Sequence, residues 1–214
     1  MARLFELIPP KRMLKQLTKR REPLSFMLYL GILGSSLLFF FIILVFVKKE
    51  FNNQQITLKI PGVFWASTWI ILVSSSTLHW ANKAFREERF RSYRLNISLT
   101  LIFGIVFMIL QALGWRQMIM GGITMSNNTG GMFIYILSGL HLIHALGGVF
   151  ALGVANKDAF QRMEYVESYV YSVNPPNQLK LRLISIYWHF IDALWLLLFI
   201  FLLYHASQNP GNSN

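Results

Sequence analysis

Tyr187-Trp188-His189-Phe190-Ile191-Asp192-Ala193-Leu194-Trp195 lies inside an apolar run that covers residues 183–205. Asp192 is the only carboxylate in any apolar stretch of the chain, and it stands one helical turn beyond His189. An ionisable side chain at membrane depth costs several kcal/mol unless it is paired, so it faces protein and marks a place of consequence. The remaining histidines, His79, His141, His144 and His205, also lie in or at the ends of apolar runs, and none sits in a polar loop.

The composition agrees with a membrane setting. Hydrophobic residues make up 54% of the 214 and charged residues only 14%, and mean hydropathy is +0.45, values foreign to a soluble domain of this length. Runs long enough to cross about 30 Å of hydrocarbon recur at residues 24–47, 61–81, 95–115, 131–155 and 183–205. In lipid the backbone must satisfy its own hydrogen bonds, and the alternation expected of a barrel strand is missing. The expected fold is therefore all-α: a polytopic bundle of five transmembrane helices over residues 24–205, preceded by a basic segment (1–23) and followed by a short tail (206–214).

Net charge is +11, and the placement of the 20 lysines and arginines argues against nucleic acid as its cause. Seven precede the first run: Arg3, Lys11, Arg12, Lys15, Lys19, Arg20 and Arg21. Five lie between the second and third runs and four between or beside the fourth and fifth, which makes sixteen on one side. The other side has Lys48, Lys49, Lys59 and Arg116. By the positive-inside rule the N-terminus is expected in the cytoplasm and the C-terminus outside. Lys11, Arg12, Lys15, Lys19, Arg20 and Arg21 are then candidate inner-surface contacts to anionic lipid or to a partner. The first run is too long for a signal-peptide core and has no small-residue cleavage site after it, so it is expected to remain as a helix.

There are no cysteines, which excludes disulfides, thiolate metal sites and cysteine nucleophiles. Residues 156–180 read as a polar connection ending in Asn174-Pro175-Pro176-Asn177, where two prolines stop any helix. Residues 82–94 read as an extension of the second helix beyond the bilayer, with a solvated mixed-charge face. Small residues that permit close helix approach recur as Gly31, Gly34 and Ser35, as Ser67 and Ser74, and as Ala145, Gly148 and Ala151.

Two polar faces invite pairing. Ser138, His141 and His144 follow one another at a spacing of three, and Trp188, His189, Asp192 and Trp195 cluster likewise. Depth from the helix ends brings His144 and Asp192 to nearly the same level, so a contact of Asp192 with His144 or His141 is expected. Three readings of this cluster stay open. Imidazoles ligate iron or copper, and His144 with His189 could form a bis-histidine haem site in a freestanding membrane cytochrome or iron protein. A lone carboxylate with histidine neighbours and Gln111 could serve a proton path. Alternatively, the cluster pins two helices together with satisfied hydrogen bonds.

The chain resembles cytochrome c oxidase subunit III, the accessory membrane subunit of haem-copper terminal oxidases. The residues that carry the resemblance are Ser74-Ser75-Ser76-Thr77, Leu110-Gln111-Ala112 with Trp115, Ser138-Gly139-Leu140-His141-Leu142-Ile143-His144, and Tyr187 to Trp195. The resemblance implies a subunit with no haem, copper or catalytic residue of its own, set beside catalytic subunit I and other oxidase subunits that carry those cofactors. In such a complex, oxygen is reduced to water and protons are pumped. The subunit is thought to hold structural phospholipid, stabilise the catalytic core and assist proton uptake or oxygen entry. Many members have seven helices; the five expected here resemble the last five, as in some bacterial oxidases. The glutamate often found in the helix equivalent to the first one here has no counterpart between Phe26 and Val47, so its role does not carry over. The basic N-terminus is short and leads into the first helix without a recognisable transit segment, so a bacterial cytoplasmic membrane is the expected setting. The electron donor, cytochrome c or quinol, and membership of a larger respiratory assembly are properties of other subunits.

Overall fold

A computed structural model describes residues 22–52, 60–125, 129–162 and 164–208. The basic residues Lys11, Arg12, Lys15, Lys19, Arg20 and Arg21 lie outside this set. Among the described residues the regular structure is entirely α-helical: α1 (Glu22–Asn52), α2 (Val63–Arg86), α3 (Phe90–Met120), α4 (Thr129–Gln161), α5 (Tyr165–Val173) and α6 (Pro175–Gln208).

Local chemistry sets the breaks between helices. The α2–α3 turn closes with Arg89 N–H on Ala84 O (2.9 Å) and Glu88 N–H on Phe85 O (3.4 Å), and Glu88 takes the left-handed conformation at φ 59°. At the end of α3 the same pattern recurs with Gly122, at φ 77° the residue suited to it. Pro175 and Pro176 open α6, where the missing N–H groups cost nothing. They do stop a helix, as expected, but the helix they stop is α5, a nine-residue element inside what the sequence reads as a polar connection. Asn177 and Gln178 donate to Tyr171 O (3.0 Å) and Ser172 O (2.8 Å) and so satisfy the last carbonyls of α5.

Four helices carry windows long and apolar enough to cross a membrane: Pro23–Lys49, Phe90–Met120, Gly130–Gln161 and Pro175–Tyr204. The protein is a multi-pass membrane protein. The run expected at 61–81 falls in α2, whose 24 residues reach about 36 Å at 1.5 Å per residue. Its serines and threonines lower its hydropathy below that of the other four.

α2, α3, α4 and α6 close a ring, each packed mainly against its two neighbours, and α1 lies outside it against α4 and α6. The buried face of α1 is narrow: Phe39 packs with Leu137, Leu194 and Leu198, and Phe46 meets the rings of Phe133 and Phe201 edge-on at 4.9 and 5.4 Å. Phe26, Leu30, Leu33 and Phe41 are exposed. A Cβ at Gly31 or Gly34 would have nothing within 4 Å, so among the described residues this part of the small-residue stripe meets no helix, and Ser35 is the member of the stripe that bonds across helices. Inside the ring, Gly114 of α3 receives the ring of Phe64: a Cβ there would lie 2.2 Å from a ring carbon.

Gly114→Ala is therefore expected to lower unfolding stability in detergent by about 1–3 kcal/mol through overpacking. Gly31→Ala, with open space at its Cβ, is expected to be neutral or stabilising by up to about 1 kcal/mol through helix propensity. Equal losses for both would contradict this packing.

Candidate functional site

The ring's interior is lined by a polar seam that α2 supplies. Ser67, Thr68, Ser74 and Thr77 are all buried on one side of this helix. A hydroxyl surrounded by apolar side chains needs a partner, and each has one. Ser67 accepts from Gln111 Nε2 at 3.1 Å and Thr68 from Trp195 Nε1 at 3.0 Å. Ser74 accepts from Trp188 Nε1 at 3.2 Å and donates to Thr100 O at 3.3 Å, while Thr77 and Thr100 share a bond of 2.9 Å. Trp188 and Trp195 are both essentially inaccessible. Trp188 is admitted by two glycines: a Cβ on Gly104 would lie 2.7 Å, and one on Gly148 2.9 Å, from its ring. Gly148 is thus one small residue whose expected role in close approach is met.

Gln111 sits in this seam as expected, bonded through its amide nitrogen, with Oε1 buried and unpartnered among the described residues. His141 is fully buried. Its ring lies 5.3 Å from that of Trp195 and 5.8 Å from that of Phe107, and neither ring nitrogen has a hydrogen-bond partner among the described residues. His144 turns the other way. Its Nδ1 is 2.8 Å from Leu140 O, which can only accept, so Nδ1 carries the proton and Nε2 accepts from Ser35 Oγ at 2.9 Å. Tyr187 of α6 donates to the backbone oxygen of the same residue at 3.1 Å. His144 is therefore where α1, α4 and α6 meet.

His189 turns to α2, where Ser75 Oγ lies 2.8 Å from Nδ1. Asp192 is buried, and its Oδ2 lies 3.8 Å from that same Nδ1, an ion-pair distance longer than a hydrogen bond. Asp192 makes neither the hydrogen bond nor the ion pair expected with His141 or His144: its carboxylate has no hydrogen-bond partner among the described residues, and the imidazole that approaches it is His189 of its own helix. The reason is rotational. Residues three apart on a helix point about 60° apart, so His141 and His144 diverge, one into the aromatic core and the other toward α1. Trp195, one turn beyond Asp192, takes the place against His141.

The bis-histidine reading needs His144 and His189 to face a common space, yet they bond to Ser35 on α1 and Ser75 on α2 respectively. No group of three His, Asp or Glu side chains with metal-binding proximity occurs among the described residues. The hydroxyls of Ser67, Thr68 and Thr100 were not singled out as site residues from sequence. For Ser67 and Thr68 the available signal is Ser and Thr recurring on one side of an apolar helix, a pattern that by itself suggests small-residue packing; Thr100, on α3, carries no such signal.

A sequence model of the family described as cytochrome c oxidase subunit III matches residues 24–207, nearly the whole helical region. The chain belongs to the cytochrome c oxidase subunit III family. Similar proteins include cytochrome c oxidase subunit 3 of Corynebacterium diphtheriae, 29% identical over 136 residues that cover 61% of this chain and 60% of that one. Others are the same-named proteins of Mycosarcoma maydis (29% identical, covering 63% and 44%) and Anopheles gambiae (27%, covering 73% and 53%). The chain spans about half the length of these curated relatives. The resemblance read from the motifs thus holds at family level, and in the subunit III fold of this chain those motifs are the seam: Ser74 to Thr77 and Tyr187 to Trp195 meet through Ser74–Trp188 and Ser75–His189.

His141→Leu, which replaces an unpartnered imidazole by an apolar side chain, is expected to leave stability unchanged or raise it. His144→Leu strands Ser35 and is expected to cost about 1 kcal/mol and to loosen α1. Both effects are read from unfolding in mild detergent, and the reverse order would contradict the assignment.

Proposed function

We propose that the chain is an accessory subunit III of a haem-copper respiratory terminal oxidase, in a bacterial cytoplasmic membrane, with haems and copper on catalytic subunit I and other partner subunits. Within that complex oxygen is reduced to water with proton pumping, and this chain braces the catalytic subunit and holds structural phospholipid. The family match across residues 24–207 carries the reading. In support, the imidazoles of His144 and His189 are engaged in helix-to-helix bonds, an arrangement suited to bracing.

Lipid holding is supported by a cavity of about 370 Å³ where α1, α4 and α6 approach at one end, walled by Leu24, Phe150, Val154, Leu179 and Leu183 beside Lys180. An apolar groove of this kind fits an acyl chain. In this proposal α2 also crosses the bilayer, its polar side turned into the ring and Trp65, Trp69, Val73 and Trp80 turned outward. Five crossings then place the N-terminus inside and the C-terminus outside, in keeping with the basic surplus.

The test is a native purification of the tagged protein with identification of each co-eluting chain by mass spectrometry and a reduced-minus-oxidised spectrum. An a-type or o-type haem together with a large multi-helix partner is the expected result, with the chain alone colourless. Asp192→Ala should weaken retention of the subunit while the haem spectrum of the partner persists. A lone chain that binds haem stoichiometrically and loses it in His144→Ala would overturn the proposal in favour of a cytochrome.

A further inference from the structure

α5 connects the end of α4 to the start of α6, and its faces are inverted relative to a soluble helix. Ser168 and Ser172 are buried, whereas Tyr165, Val166, Tyr169, Val170 and Val173 are exposed by 62, 69, 40, 60 and 48%. At about 100° per residue these five occupy an arc of about 140° that contains no charged side chain. Tyr165 and Tyr169 stack along it, their rings within 14° of parallel.

The arc is not a by-product of loose attachment. Ser168 Oγ donates to Arg162 O at 2.8 Å and accepts from Arg94 at 3.3 Å. The guanidinium of Arg162 lies 4.2 Å from the centroid of Tyr171, whose hydroxyl donates to Asp158 at 3.4 Å, and Lys180 pairs with that carboxylate at 2.5 Å. Burial and the Asp158 charge push the Tyr171 phenol above its ordinary pKa, so it stays a donor throughout the neutral range. The helix is thus clamped on its polar side with five apolar residues turned outward.

Its position says what covers them. α5 joins two helices long and apolar enough to cross a membrane, so it lies at their shared end. The α2–α3 turn lies at the same end, because Tyr165 bonds Glu88 and Arg94 bonds Ser168. Over residues 83–94 and 157–182, basic side chains outnumber acidic ones nine to five, a surplus that favours an anionic surface. Tyrosines with small aliphatics beside arginine and lysine are the composition of a segment lying in the headgroup region.

We propose that α5 is an interfacial anchor whose Tyr165, Val166, Tyr169, Val170 and Val173 face lies at the headgroup–acyl boundary of an anionic phospholipid bilayer. The surrounding arginines and lysines then meet the phosphates, and the clamp to Arg94, Asp158 and Lys180 fixes the depth of α4 and α6.

The chain lacks cysteine, so single labels can be placed cleanly. Val166→Cys, Val170→Cys and, as the water-side control, Glu167→Cys are labelled with a nitroxide in the full-length chain. The chain is reconstituted in vesicles of phosphatidylcholine and phosphatidylglycerol, and accessibility to oxygen and to a soluble nickel chelate is compared. Oxygen is expected to exceed nickel severalfold at positions 166 and 170, with the order reversed at 167. Vesicles of phosphatidylcholine alone should reduce the contrast. Three results would overturn the proposal: nickel access at 166 and 170 equal to that at 167; immobilised labels at 166 and 170 shielded from both reagents, which would mark a protein partner; and a contrast unchanged without anionic lipid.

Discussion

A hydroxyl in hydrocarbon has no water to turn to, and this constraint organises the bundle. α2 presents Ser67, Thr68, Ser74 and Thr77 to the interior, and each finds its partner on another helix or on a backbone carbonyl nearby. Lipid tails are as apolar as leucine, so helices in a membrane gain little by hiding apolar surface from them. Close packing and polar bonds between helices decide the arrangement instead. The indole of Trp188 does both at once, filling the space above Gly104 and Gly148 while its N–H reaches Ser74 of α2, and the N–H of Trp195 likewise reaches Thr68. Loss of the seam would leave α2 the helix least suited to the membrane.

Histidine serves the same end at two places. His144 ties α1 to α4 through Ser35, and His189 ties α6 to α2 through Ser75. α1 otherwise touches the ring along a narrow line from Ser35 to Phe46 and keeps most of its surface outward. A helix held this way leaves room beside it, and the cavity near Leu24 and Leu183 is that room. Bracing and lipid retention, the roles proposed for this member of the subunit III family, would both draw on this one packing scheme.

Much of this was legible in the sequence, for reasons that differ by element. Four of the five apolar runs coincide with helices apolar enough to cross the membrane, because length and hydropathy are local properties. Asp192, His141, His144, His189 and Gln111 declared themselves by being polar in apolar surroundings, and His141, Gln111 and Asp192 are buried. The pairing of Asp192 was not legible. It depends on helix rotation, and periodicity alone could not say that Trp195 rather than Asp192 would lie against His141. α5 is not legible because its serines face inward and its tyrosines and valines outward, the reverse of a soluble amphipathic helix, and because charged residues before it and Asn174-Pro175-Pro176-Asn177 after it make the whole connection read as a loop. The motif at Ser74 to Thr77 drew notice through family resemblance, while its physical role emerged only from its partners on α3 and α6.

The central claim is that polar bonds between α2 and its neighbours, rather than shape alone, hold this helix in the ring. A double-mutant cycle on Ser74→Ala and Trp188→Phe, followed by reversible unfolding in mild detergent, addresses it most directly. A favourable coupling of about 0.6 kcal/mol, rising to about 1.7 kcal/mol if the site is dry, is the result the account requires. Coupling indistinguishable from zero, with the two single losses simply adding, would show that Trp188 packs over Gly104 without help from Ser74 and would contradict it.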